Sequence, residues 1–210
     1  MKISILLPYK ENFSPIYPGA VSLFVKDTAK ISKYKKNIIV YGNTSYKKTF
    51  PVKYFNISLS SFKFQSKSKL YVNKFIKIEE NEPSDLIEVH NRPNYLTDIV
   101  KTLRKKNLVL YFHNDPLTMT GSKSINERKF LLKICYKIIF NSNWSKKRFL
   151  EGMHDKFVNS EKLLVVFQSA KKLAVNLKGK RKKITFVGKL NKSKGYDIFG
   201  NAVLKILNKH

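Results

Sequence analysis

Cysteine, arginine and acidic residues are all scarce in this sequence, and each shortage closes off a class of protein. One thiol, Cys135, makes no internal disulfide, so a cross-linked secreted scaffold is excluded; within the apolar run Phe130–Tyr136 it reads as a small core hydrophobe. Long apolar runs are missing as well. No segment approaches the roughly 20 residues of a spanning helix, and Ile3–Leu7 is too short for the apolar core of a secretory leader, so the expectation is a soluble or peripheral chain on the cytoplasmic side. The 14 acidic residues stand against 42 lysines and arginines, a formal net charge of +28. Such an excess points to an anionic partner, nucleic acid or a membrane surface. Only five of the basic residues are arginine, however. Phosphate and base-edge readers lean on the planar guanidinium fork, so this balance argues against specific nucleic-acid recognition. It leaves peripheral contact with an anionic membrane, where each nearby lysine contributes on the order of 1 kcal/mol.

Several catalytic signatures are also absent. No G-x-S-x-G elbow supports Ser-His-Asp chemistry, and Gly188 to Lys194 does not have Walker spacing. Glu88, His90, His113 and Asp115 form a mixed His/carboxylate set, but no H-E-x-x-H or paired Cys/His spacing supports a metal. The acidic cluster Glu79, Glu80, Glu82 and Asp85 falls where a helix gives way to a strand and reads as a solvated turn.

What is present is alternation. Short β-rich apolar runs near 2–8, 37–42, 52–57, 85–90, 107–113, 137–141 and 163–167 are separated by helical patterns near 20–34, 69–80, 94–105, 125–136 and 143–151. Buried strands spaced by helices predict βαβ units, hence an α/β, Rossmann-like parallel sheet with helices on both faces. Asn143 is placed to cap the last of these helices, with Gly152 ending it, while Phe55, Phe112, Phe140 and Phe186 fall within predicted strands as core residues. Gln168–Lys183 is polar and lysine-rich and reads as a linker. The expected organisation is therefore a domain over 1–167, a linker over 168–183 and the start of a second domain over 184–210.

Ligands of an open parallel sheet bind at the carboxyl ends of its strands. His90 and His113 both fall at such ends, on strands expected to be neighbours, which makes them the first candidates for a site. Near the other end of the chain, Ile184–Phe199 (ITFVGKLNKSKGYDIF) predicts a strand closing at Gly188, a turn, and a helix opening after Gly195, with Lys189 and Lys194 at the helix's positive end. Free amides and the helix dipole favour phosphates at such a place.

That last string resembles the opening of the second domain of family-4 glycosyltransferases, F-x-G-R-L-x-x-x-K-G-x-D. The likeness recurs in order along the chain. Lys2–Pro8 with the loop before Ala20 is similar to the family's first strand and glycine loop, Leu86–Asn94 and Val109–Pro116 to two strand ends closing in His, and Lys137–Gly152 to the strand and helix before its interdomain linker. The resemblance implies a two-domain GT-B architecture and transfer of a sugar, with retention, from a nucleotide-sugar donor to an acceptor hydroxyl. The acceptor would be a glycan or lipid-linked molecule of glycan, lipopolysaccharide or glycolipid synthesis, and no cofactor or obligatory metal is implied. His113 would be the catalytic-site residue, set against the donor sugar. Lys189, Lys194, Gly19 and Ala20 would hold the donor diphosphate, and His90, Asn91, Arg92, Asn114 and Asp115 would lie on the acceptor side.

Three departures accompany the resemblance. Lys189 replaces the usual arginine, a point charge for a bidentate grip. Phe167-Gln168-Ser169-Ala170 stands where many relatives have an Asn-Gly turn. The sequence stops at His210, before the family's E-x7-E motif would fall, so the expectation is a fragment, a truncated product or a chain needing a partner, with doubtful transferase activity alone. The competing class is a basic, non-catalytic Rossmann-like module that binds nucleic acid or an anionic membrane surface.

Overall fold

The computed structural model describes residues 1–59, 66–103, 107–154, 157, 160–169, 184–188, 190 and 192–208. It comprises two compact units, Met1–Ser169 and Ala170–His210. Gln168 and Ser169, assigned above to a linker, belong to the first unit, and the rest of that linker, 170–183, lies outside the described residues.

In the first unit the elements run β1 (Ile3–Leu6), α1 (Ala20–Ile31), β2 (Ile38–Gly42), β3 (Tyr54–Asn56), α2 (Lys67–Asn81), β4 (Leu86–His90), α3 (Pro93–Leu103), β5 (Leu108–Phe112), α4 (Ile125–Ile134), β6 (Lys137–Phe140), α5 (Asn143–Leu150) and β7 (Leu163–Val165). All seven strands pair in parallel, in the order β3-β2-β1-β4-β5-β6-β7. This is the α/β, Rossmann-like sheet predicted from the alternation. Successive residues face opposite layers. Ile3, Ile5, Leu7, Ile38 and Val40 pack with Val21, Val25 and Ala29 of α1, whereas Leu6, Ile87, Val89, Leu110 and Phe112 pack under α2, α3 and α4.

Local chemistry sets the helix boundaries. Ser124 and Glu127 form a reciprocal capping box at α4. The cap of α5 is Ser142, whose side chain accepts from the Ser145 amide, and not the predicted Asn143, which is the first helical residue. Arg128, buried, donates to the carbonyls of Arg148 and Phe149 and so ties α4 to the end of α5. Cys135 is buried, and burial pushes its thiol up to about 12, in keeping with an inert packing role.

Two expectations about side chains fail. Phe112 and Phe140 are core residues, but Phe55 lies on the edge strand β3 and remains 47% exposed, because no further strand covers it. Glu79, read as part of a solvated turn, is buried and receives hydrogen bonds from Ser4 Oγ (2.5 Å), Ser84 N (3.0 Å) and Ser84 Oγ (2.7 Å). It fastens the end of α2 to β1 and to the turn leading into β4.

In the second unit, helix α6 (Tyr196–Leu207) forms as predicted, with Gly195 as its N-cap and a 3-10 turn, Lys192–Lys194, before it. The strand expected at Ile184–Val187 is absent. These residues carry no ladder, and Ile184 and Val187 are exposed. Among the described residues of this unit no strand exists to pair with them, and an unpaired strand leaves its backbone groups without partners. Phe186 instead meets Phe199 of α6, ring centres 5.5 Å apart. Among the described residues no helix is long and apolar enough to cross a membrane.

The buried carboxylate makes a testable anchor. Glu79→Gln keeps the size but turns one acceptor oxygen into a donor that faces serine donors. The expected loss is about 1–3 kcal/mol of stability, read from the urea midpoint of the first unit's unfolding.

Candidate functional site

The chain runs from β1 outward to β2 and β3 and then returns to β4 on the opposite side of β1. The carboxyl ends of β1 and β4 therefore flank the switch point, where connecting loops diverge and leave a crevice. Two non-glycine residues at these ends take left-handed backbone: Lys10 after β1 (φ 67°) and Asn91 directly after β4 (φ 56°). Asn91 is held there by its own amide on the Tyr111 carbonyl (2.7 Å) and by its Oδ1, which accepts from the His113 amide (3.1 Å).

Parallel register places His90 of β4 opposite Tyr111 of β5, so His113 lies just past the pair on the same face. His90 Nδ1 is 2.8 Å from His113 Nε2, and His90 Nε2 is 2.5 Å from Glu88 Oε1. At the far side, Gln168 Nε2 is 2.7 Å from His113 Nδ1. The amide nitrogen of Gln168 has only protons to offer, so His113 Nδ1 accepts. Neutral His113 then carries its proton on Nε2 and donates to His90 Nδ1, which leaves His90 Nε2 to donate to Glu88. One proton assignment thus satisfies the whole row. Aromatic rings hold it in place: Tyr111 stacks on His90 at 4.9 Å, and Phe24 of α1 meets His113 edge-on at 5.1 Å. Burial, and secondarily the neighbouring His90, lower the pKa of His113 from 6.5 to about 3.

The remaining candidate residues divide by position. His90 is fully buried, and both of its ring nitrogens are engaged, one by His113 and one by Glu88. Asp115 accepts from the Leu117 amide and pairs with Arg148, Oδ2 to Nη2 at 3.1 Å, which makes it an anchor of the loop. Asn91, Arg92 and Asn114 line a cavity of about 370 Å³ between the start of α3 and the loop after β5, together with Asn94, Thr118 and Thr120. That volume lies in the range of about 300–1,000 Å³ usual for small-molecule sites.

Gly19 and Ala20 do stand at the start of α1, but the place expected for a phosphate holds the carboxylate of Glu11. Its Oε1 accepts from the Ser22 amide (3.0 Å), and a Cβ on Gly19 would fall 1.9 Å from that same oxygen. The helix end has drawn an anion from its own chain. Lys194 is exposed at the N-terminal side of α6, as expected from the motif, whereas Lys189 lies outside the described residues. Among the described residues no group of three His, Cys, Asp or Glu is arranged to hold a metal. Sequence reasoning missed Glu11 and Gln168. A lone Glu in a Pro-containing loop and a Gln 55 residues from His113 carry no local signal, while Glu88, two residues before His90 on a strand, shares its face by simple alternation.

The sequence matches no protein-family model and no curated protein. Among solved structures, the chain is similar to crystal structures of HepE from Anabaena. With UDP and glucose bound, the TM-score is 0.55 at 19% identity, over 81% of this chain and 45% of that one. With UDP it is 0.51 at 19% identity, over 80% and 44%, and with UDP-glucose 0.51 at 18% identity, over 78% and 43%. The chain thus spans less than half the length of these neighbours. What is shared is the fold, a Rossmann-like α/β arrangement.

The depressed pKa of His113 has a sign that can be measured. As pH falls below about 6.5 the unfolded chain takes up a proton at this position before the folded chain does, so stability is full above that value and is lost toward pH 3. The slope is up to about 1.4 kcal/mol per pH unit. In urea unfolding at pH 7 and pH 5, His113→Gln is expected to show a smaller loss than the parent protein.

Proposed function

We propose that the chain carries the acceptor-side domain, and the start of the donor-binding domain, of a family-4-like glycosyltransferase that moves a sugar with retention from a nucleotide-sugar to an acceptor hydroxyl. Glycan, lipopolysaccharide or glycolipid synthesis is the corresponding pathway class, and no metal is required. The observation that carries the reading is the Glu88–His90–His113 row at the switch-point edge, which leaves one imidazole nitrogen accepting from Gln168. The order of sequence motifs and the fold shared with a protein crystallised with UDP-glucose support it.

In this reading a hydroxyl of the donor sugar takes the place of the Gln168 amide at His113 Nδ1. A base whose conjugate acid has a pKa near 3 is poorly matched to proton abstraction at neutral pH, so His113 orients the sugar and does not deprotonate the acceptor. Lys189 and Lys194 supply positive charge to the departing diphosphate, in the place a cation holds in other transferases. A phosphate reaches the first turn of α1, at Gly19 and Ala20, only by displacing the Glu11 carboxylate.

Titration with UDP-glucose and a sugar-transfer assay test this, using the 210-residue chain beside the product of any longer reading frame that contains it. Exposed lysines alone bind weakly, so feeble donor binding and little transfer are expected from the short chain. In a longer chain that transfers sugar, Lys194→Ala and His113→Ala are each expected to lower turnover about 10²–10³-fold, the usual effect of removing one preorganised group from a reaction centre. Robust transfer by the short chain, or full activity of the longer Lys194→Ala variant, would overturn the mechanism.

A further inference from the structure

The cavity beside His113 has a chemistry of its own. Of the five arginines, Arg104 and Arg181 lie outside the described residues, Arg128 is buried on backbone carbonyls, and Arg148 is paired with Asp115 and Glu151. Arg92 has no carboxylate partner among the described residues; its Nη1 donates only to the Asn91 carbonyl, at 2.8 Å. Among the described residues, no acidic side chain lines the cavity into which it is set.

We infer that this cavity binds a phosphate group carried on a hydroxylated ligand, with Arg92 supplying the charge and Asn91, Asn94 and the hydroxyls of Thr118 and Thr120 the surrounding hydrogen bonds. The inference rests on the acceptor-side reading and names that acceptor's chemistry: a phosphorylated sugar or a phosphate-bearing lipid headgroup.

Four observations converge on it. Asn91 is only 5% exposed, lines the cavity, and spends its Oδ1 on the His113 amide, while its NH2 group has no hydrogen-bond partner among the described residues. The cavity sits at the N-terminal end of α3, a helix of 11 residues whose positive end favours an anion. Gly121 (φ 94°) brings the loop after β5 onto that helix end: a Cβ there would lie 2.6 Å from the Asn94 backbone nitrogen, so any other residue would push the wall away. Finally, a carboxylate is satisfied in one plane by a guanidinium fork, whereas amides and hydroxyls arrayed around a single cation suit the several oxygens of a tetrahedral anion.

The test is calorimetric titration of the protein with glucose 6-phosphate, glucose and inorganic phosphate, without nucleotide. Glucose 6-phosphate is expected to bind at least about tenfold more tightly than glucose, and Arg92→Gln to remove at least about tenfold of that affinity, the scale of one charge-assisted contact. Lys30→Gln, on an exposed position of α1, removes the same formal charge and is expected to change nothing. Thr120→Glu places a negative charge on the exposed wall and gives the same loss, which keeps the test open if Arg92→Gln does not fold. Sedimentation with phosphatidylglycerol–phosphatidylcholine vesicles separates the two sources. Binding that depends on Arg92 and is competed by glucose 6-phosphate assigns a lipid headgroup; titration without vesicle binding assigns a sugar phosphate. Equal affinity for glucose and glucose 6-phosphate, or equal losses in Arg92→Gln and Lys30→Gln, would overturn the inference. In a longer chain, sugar transfer from UDP-glucose only to unphosphorylated acceptors would also remove it while leaving the transferase reading intact, and phosphate binding without any transfer by that longer chain would do the reverse.

Discussion

Every strand of the first unit runs in the same direction, and that single constraint decides where chemistry can occur. With β1 and β4 side by side and all carboxyl ends on one edge, loops distant in sequence converge at the switch point. The pairing register then does finer placement. It aligns His90 with Tyr111 and leaves Glu88 behind on the same face, while His113, the first residue past β5, lies beyond them with its amide held by the Asn91 side chain, so a carboxylate and two imidazoles form a row. Strand β4 fixes two of the row's members, and α1 closes over it through Phe24.

The scarcity of acid acquires a structural meaning in this frame. In a chain of net charge +28, four of the described carboxylates hold specific posts: Glu79 fastens α2 to β1, Glu127 completes the cap of α4, Asp115 anchors the loop after β5, and Glu11 caps α1. Glu79, Glu127 and Asp115 each collect several donors, and Glu11 takes the Ser22 amide. Lysine, by contrast, is mostly exposed, and the one arginine lining the proposed phosphate cavity is Arg92.

Strand and helix order was legible in the sequence because buried parallel strands are short apolar runs and helices carry a different period. The candidate edge was legible for the same reason, since two histidines closing strands that pair in parallel fall side by side. Partners drawn from far along the chain were not. Gln168 against His113 and Glu11 on α1 are tertiary facts with no periodic trace. Ile184–Val187 has the composition of a strand but no ladder to join, and Glu79 looked solvated because its three serine contacts come from β1 and from the turn before β4. Composition reports preference, whereas pairing and burial depend on what arrives opposite.

The proton between the two imidazoles has a further consequence. It sits on a short nitrogen-to-nitrogen contact, deep under aromatic rings, where exchange with water is slow and ring currents are strong. Such a proton gives an isolated low-field magnetic resonance, well clear of the amide envelope. The molecule therefore contains its own indicator: any ligand that replaces Gln168 at the open end of the row would shift that line, so occupancy of the edge could be followed without a reaction, a label or knowledge of the substrate.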